Sequence, residues 1–357
     1  MGQNAIVHVI GTGTIGEPLL GLLVAFKDSL GIDEVTFHKR TPLLTDRPKV
    51  QNLLKRGVKL CVDDSAAKGF QDLGMEPSYE AEEAIRRAGV VIDCTPSGIG
   101  TQNKTEFYEK YTDNTKGFLA QGSEFGFGKP YARGINDGAL VKGKDQFIQI
   151  VSCNTHNLSV LIESLALGNN DPENLVEGRF VCMRRANDIS QDGSYVPSPM
   201  VGEHKDARFG THHARDAWHL FNTLGYDLNL FSSAIKLNTQ YMHAIYFDVR
   251  VKNPTSLESV VEQMRANDRV ALTYKKSANK VFSFGRDQGH FGRILNVTVI
   301  SLPTLMVRNE REIVGYCFTP QDGNSLLSSV SAATWLLYPD DYEERVQCLQ
   351  PYFFDEV

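Results

Sequence analysis

A-I-V-H-V-I-G-T-G-T-I-G, residues 5–16, decides the fold class of this chain. Residues 5–10 are a near-continuous apolar run, as expected of a strand buried on both faces of a parallel sheet. Glycines at 11, 13 and 16 follow at once, and residues 17–30 then read as a helix. Alone, G-x-G-x-x-G is a weak signal. Between a strand and a helix at the start of a βαβ unit it becomes a dinucleotide-binding fingerprint. Gly11 permits the turn, Gly13 lets a pyrophosphate approach the backbone around Thr14 and Ile15, and Gly16 lets helix and strand pack closely. The bland alternative is a glycine-rich turn with no ligand.

Working outward, the second strand is E-V-T-F-H at 34–38, followed by Lys39, Arg40 and Thr41. An acidic residue there would bind the ribose hydroxyls of NAD. Two fixed positive charges and a hydroxyl instead suit a 2′-phosphate, through charge-assisted hydrogen bonds. NADP is therefore the expected cofactor, with NAD as the alternative; a solvated basic turn is the bland reading of the same residues. Residues 59–62 read as a short strand, 78–88 as an amphipathic helix with acids early and arginines late, and 89–94 as another buried strand. Thr95 opens the loop 95–100 at the carboxyl edge of the sheet, where open α/β sheets bind ligands. A helix over 103–111, a strand over 117–121 and a third edge loop at Gly122, Ser123 and Glu124 complete the pattern.

Residues 146–151 then read as a strand and 157–167 as a helix, which leaves Cys153 at the junction. Unpaired amides and the positive end of the helix dipole favour a thiolate there, so Cys153 is a candidate nucleophile. Most cysteines are small buried core residues, and that is the alternative.

Composition bounds the rest. The 357 residues suffice for two domains with substantial cores, and no low-complexity tract interrupts them. A net charge of −6 without a basic run argues against a general nucleic-acid binder. Cys61, Cys94, Cys153, Cys182, Cys317 and Cys348 form no C-x-x-C pair, which suits reduced thiols and no zinc site. No charged-then-apolar leader precedes the first strand, Ile6 breaks a myristoylation signal, and no apolar run would span a bilayer. The expectation is a soluble cytoplasmic protein without membrane or nucleic-acid partners.

Seven segments together resemble the archaeal-type (class II) glyceraldehyde-3-phosphate dehydrogenases. They are V-I-G-T-G-T-I-G at 9–16, D-C-T-P-S-G-I-G-T-Q-N-K at 93–104, Q-G-S-E at 121–124, V-S-C-N-T at 151–155, M-R-R-A-N-D at 183–188, T-H-H-A-R-D at 211–216 and T-Q-Y-M-H at 239–243. They keep the family's order and spacing over residues 5–250; the last third matches loosely. The resemblance implies an α/β protein: a Rossmann-type doubly wound sheet over 1–152, an α+β catalytic domain over 153–320, and a last helix within 321–357 returning to the nucleotide domain. It implies that Cys153 attacks an aldehyde to form a thiohemiacetal and then a thioester, with His243 as the base. It places the substrate's phosphate or carboxylate near Arg184 or Arg185, which equally suit structural ion pairs; His212 and His213, at a helix start, are a further candidate anion site by position. The resemblance adds Asn324 as a nicotinamide contact and a homotetramer formed through the second sheet; Asn154, Thr155 and His156 beside the cysteine are candidate substrate contacts, and Thr95 and Gly122, on the sheet-edge loops, candidate cofactor contacts.

Two departures touch substrate choice. The family has a second threonine where His156 stands, and residues 186–210 differ and are densely polar. A small-molecule aldehyde, phosphorylated or acidic, is the expected substrate; the alternatives are an acyl-phosphate or semialdehyde reductase on the same fold, or a non-catalytic NADP-binding protein. In the last third, 256–266 and 324–337 read as helices and 270–274, 295–301 and 311–318 as strands.

Overall fold

In the computed structural model, which describes residues 5–122, 124–168, 171–189, 191, 193, 195–320 and 322–357, β1 (Ile6–Ile10) is buried along its whole length. It pairs in parallel with β2 (Glu34–His38), and β3 (Lys59–Val62) and β4 (Tyr79–Glu80) extend the sheet beyond β2. On the other side of β1 lie β5 (Val90–Asp93) and β6 (Gly117–Gln121), and then β7 (Lys129–Tyr131) and β8 (Phe147–Ile150). The order is β4-β3-β2-β1-β5-β6-β8-β7, and every pairing is parallel. The winding reverses between β1 and β5, and the crevice at such a switch point is where ligands bind in open α/β sheets.

A second sheet contains β9 (Leu175–Arg184), β10 (Met200–Val201), β11 (Leu230–Lys236), β12 (His243–Val251), β13 (Val270–Thr273), β14 (Thr298–Ser301), β15 (Met306–Arg308) and β16 (Glu312–Thr319). Its order is β10-β11-β9-β12-β16-β14-β13, with β15 beside β16. It is mixed: β11 runs parallel to β9 and β13 to β14, whereas β12 is antiparallel to both neighbours. Burial alternates along β12, so His243, Ile245, Phe247, Val249 and Val251 face inward. Their apolar members share a core with Phe180, Cys182 and Cys317 of the neighbouring strands and with Leu158, Leu161 and Ile162 of the helix Cys153–Leu165.

The chain separates into two compact units. One is the chain up to Tyr131 with Leu140–Ile150 and Leu326–Gln350; the other is Ala132–Ala139, Val151–Ser325 and Pro351–Val357. The first holds the parallel sheet and the second the mixed one. Within the first, Lys116 donates to the carbonyl of Leu337 and Gln121 to Ser329, tying the last helix to the sheet.

Several element boundaries differ from the sequence reading. The expected helix over 78–88 begins only at Ala81, because Glu80 is extended, pairs with β3 and caps the helix through Glu83 N–H at 3.0 Å. The helix expected over 17–30 is divided at Phe26. That expected over 103–111 starts at Ile99, ends at Glu106 and gives way to a 3₁₀ turn, Tyr108–Tyr111. The helix after β8 starts at Cys153 rather than at 157, since Ser152 caps it.

Candidate active site

The glycine loop behaves as its spacing requires. Gly11 has φ +95°, and a side chain there would press on the Cys94 carbonyl at 3.0 Å. A Cβ on Gly16 would lie 2.0 Å from the Gly11 oxygen, whereas one on Gly13 would meet nothing within 4 Å. The loop is therefore closed toward the sheet and open at its middle glycine, which fits the approach of a pyrophosphate to the backbone. A cleft of about 780 Å³ at this edge is lined by Gly11, Thr12, His38, Lys39, Arg40, Thr41, Asp63, Thr95 and Asn103, among others.

Charge in the cleft is more mixed than the K-R pair suggests. Lys39 pairs with Asp46, whose carboxyl it holds below the usual range. Arg40 is exposed and, among the described residues, makes no hydrogen bond or ion pair. Asp63, Glu80 and Glu82 also line the cleft. His8 sits fully buried in its floor, Nδ1 2.7 Å from the Thr36 hydroxyl; burial and nearby His38 push it down to about 3.

Two buried carboxylates that the sequence reading did not single out shape the loop after β5. Asp93 accepts from Thr95 N–H (2.9 Å), Asn103 (2.8 Å) and Tyr108 (2.5 Å). Glu124 accepts from Gly98 N–H and from both the N–H and the hydroxyl of Thr101, at 2.9 and 2.8 Å. Together they hold the loop bearing Thr95 on the helix that follows. Both stand in segments already quoted from the sequence, Asp93 opening 93–104 and Glu124 closing Q-G-S-E at 121–124, but neither was given a role there. Gly122 turns the chain at φ +76°, bonded to Ile150 and Gln149, and does not line the cleft. Ser123 lies outside the described residues.

In the second unit Cys153 is the first residue of its helix, and Ser152 accepts from Thr155 N–H at 3.4 Å. The helix field favours a thiolate, but burial outweighs it and pushes the Cys153 thiol up to about 12; Asp322 adds to the rise, and Arg185 and Arg184 oppose it. His243 accepts the backbone N–H of Arg185 on Nδ1 at 3.1 Å, so the neutral ring carries its proton on Nε2. Burial and the two arginines keep that ring neutral, well below its ordinary value. Burial thus works against charge on the thiol and on the imidazole alike.

Arg184 and Arg185 part ways. Arg184 ends β9 exposed, within electrostatic reach of His212, His213 and His243. Arg185 is buried, its Nη2 bonded to Asp188 at 2.9 Å and to Asp322 at 3.2 Å. Asp322 was not singled out from sequence, although a D-G pair before a helix marks a turn; it stands at φ +59°. His213 is buried, its ring 4.0 Å from that of His212, and neither of its nitrogens has a partner among the described residues. Thr211 precedes their helix, but Ser232 does the capping, accepting Ala214 N–H at 3.0 Å.

The residues after Cys153 are spent inside the fold. Asn154 accepts from Thr319 at 3.3 Å, Thr155 bonds Ser152 at 2.9 Å, and His156 Nδ1 lies 3.0 Å from the Ser152 carbonyl oxygen. All three are buried, and burial pushes His156 down to about 4. Asn324 is likewise engaged: its Nδ2 donates to the carbonyls of Cys153 (3.0 Å) and Val297 (3.3 Å). Among the described residues no group of three His, Cys, Asp or Glu side chains could hold a metal ion, and no helix is long and apolar enough to cross a membrane.

Similar proteins bear on this arrangement. The chain is 27% identical over 323 residues to the glyceraldehyde-3-phosphate dehydrogenase of Metallosphaera sedula, covering 87% of this chain and 86% of that one. It is 29% identical to that of Methanobacterium bryantii over 74% of this chain and 73% of the relative, and 26% identical to that of Archaeoglobus fulgidus over 79% and 78%. These likenesses support an archaeal-type glyceraldehyde-3-phosphate dehydrogenase-like family for the chain. The names of these relatives suggest a dehydrogenase-like oxidoreductase, and the parallel Rossmann-like sheet and the mixed sheet are consistent with that fold. No family model matches the chain.

Proposed function

We propose that this chain is a nicotinamide-dependent oxidoreductase that works through a thioester on Cys153, with NADP as its cofactor and a phosphorylated or acidic aldehyde as its substrate. The observation that carries the reading is the grouping of Cys153, Arg184, Arg185, His213 and His243 at one end of the mixed sheet. Gly11, Gly13, Thr14, Ile15 and Gly16 would hold the pyrophosphate, Thr95 would flank it, and Arg40 would meet a 2′-phosphate. NAD is the alternative, favoured by Asp63 beside the same cleft. When bound, the nicotinamide supplies the hydride acceptor.

The residues of the chain do the rest. The Cys153 thiol gives up its proton to solvent, and the sulfur's electron pair adds to the carbonyl carbon as the C=O π pair moves onto oxygen. His243 donates Nε2–H to the oxygen that becomes anionic, which stabilises charge where it develops. To serve instead as a base, the ring must first give that proton up. Arg184, with His212 and His213, offers cationic and hydrogen-bonding groups for the substrate's anionic end. Phosphate or water then breaks the thioester. In the reverse sense the same groups would reduce an acyl phosphate. A homo-oligomer is proposed from the sheet face opposite the helices, where Tyr246 and Tyr316 lie 5.3 Å apart beside Val181 and Val314, and Tyr316 is 42% exposed.

The test is a screen of phosphorylated and acidic aldehydes with NADP and NAD, with and without inorganic phosphate, on the parent and on Cys153→Ser. Turnover by the parent and none by the variant, with cofactor binding kept, is expected; turnover by Cys153→Ser overturns the reading. The raised thiol favours one rival, a dinucleotide-binding protein without turnover. It gains if Cys153 alkylates no faster than the other cysteines.

A further inference from the structure

Burial pushes the Cys153 thiol up, so the charges placed around it bear directly on how readily it ionises. The charged groups that act on the Cys153 thiol come from three places: Arg184 and Arg185 stand at the end of β9, Asp188 lies in the loop that follows, and Asp322 precedes the helix Gly323–Leu337. Of these, Arg185 and Asp322 are buried, at 4% and 6% exposure. Asp188 shares the same guanidinium nitrogen, but its side chain is 53% exposed, so water screens it.

Three further observations set Arg185 apart. Its Nε–H is buried with no acceptor among the described residues, so the guanidinium keeps a donor in reserve. Its Nη2 contacts both oxygens of Asp322, at 3.4 and 3.2 Å, which anchors the group. The Asn324 side chain, two residues beyond Asp322, bonds the Cys153 carbonyl at 3.0 Å and joins the anchor to the nucleophile's own helix.

We propose that the buried Arg185–Asp322 pair is the electrostatic governor of Cys153: the guanidinium is the counter-ion of the reacting thiolate, and Asp322 both holds it in place and competes for its charge. Both are positioning residues, acting through Cys153. The inference rests on the reading of Cys153 as nucleophile. It removes Arg185 from the substrate-binding set and leaves Arg184 there. The step is a proton transfer: the thiol loses its proton to solvent, and the Arg185 guanidinium supplies the charge that balances the anion left on sulfur.

The test reads charge, not activity. The full chain is treated with iodoacetamide from about pH 6 to about pH 10, spanning ordinary thiol titration, and each cysteine is followed by peptide mass spectrometry. Asp322→Asn should speed alkylation of Cys153 about tenfold at neutral pH, the equivalent of one unit in its titration. Arg185→Gln should slow it by a similar factor, and Arg185→Lys should recover most of the loss. A structural role alone gives no reason for opposite signs. Shifts in the same direction, or no shift, overturn the proposal. Should either buried variant fail to fold, Asp188→Asn at the surface still reads the sign: modestly faster alkylation is expected, and unchanged or slower alkylation overturns it. Turnover by Cys153→Ser would defeat the nucleophile reading, whereas an unmoved alkylation profile defeats only the role of the pair.

Discussion

Replacing Arg40 with alanine should cost this protein its hold on NADP and leave NAD nearly untouched. Two cations follow β2, but they are not equivalent. Lys39 is paired with Asp46, and Arg40 is exposed at the cleft with no partner among the described residues. A charge-assisted hydrogen bond contributes about 1.5–3 kcal/mol, and the exposure of Arg40 argues for the lower end. Arg40→Ala should therefore weaken NADP about tenfold. Lys39→Ala removes the same formal charge without a direct contact, so a screened effect of about threefold is expected. Adding Asp46→Ala should return that loss, because the pair is then deleted as a unit. Titration calorimetry with NADP and NAD on the four proteins measures all of this. Equal weakening of both cofactors by Arg40→Ala, or a larger loss from Lys39→Ala, would refute the reasoning.

Acid should destabilise the fold steeply. His8 is held at about 3, His156 at about 4, and His213 and His243 well below their ordinary value, in each case chiefly by burial. Each folded-state value lies below the unfolded one, so the stability they carry is intact above about pH 6.5 and is lost as pH falls toward the folded values. The slope should approach about 1.4 kcal/mol per pH unit for each histidine; denaturant melts at successive pH values check it, and a flat profile between neutral and mildly acid pH would contradict it. Glu124→Ala strips three donors of their acceptor, at a cost of about 1–3 kcal/mol, and should weaken NAD and NADP alike. Glu124→Gln, which keeps an acceptor, should recover much of both in the same melts and titrations.

The parallel sheet was legible in the sequence because its strands are buried on both faces and so appear as unbroken apolar runs, as at 6–10 and 90–93. β11, L-F-S-S-A-I-K, was not anticipated: it is mostly half-buried, with Ser232 turned in to cap a helix. The helix Ala278–Gln288 was missed because only Val281 and Gly285 are buried, too few for a periodic signal. At the site, motif order marked Cys153 and His243, but no local pattern distinguishes the exposed Arg184 from the buried Arg185. That difference depends on Asp322, 137 residues further on. The opposition between helix field and burial at Cys153 was equally out of reach, because burial there is set by tertiary packing.

What orients His243 is a main-chain donor. Every amino acid except proline supplies that N–H at position 185, so an alanine scan would register the loss of an ion pair there and remain blind to the hold on the imidazole. Proline, or an ester in place of the amide, would isolate the second effect. A mutational map of this protein would thus understate position 185 unless it distinguishes what the side chain does from what the backbone does.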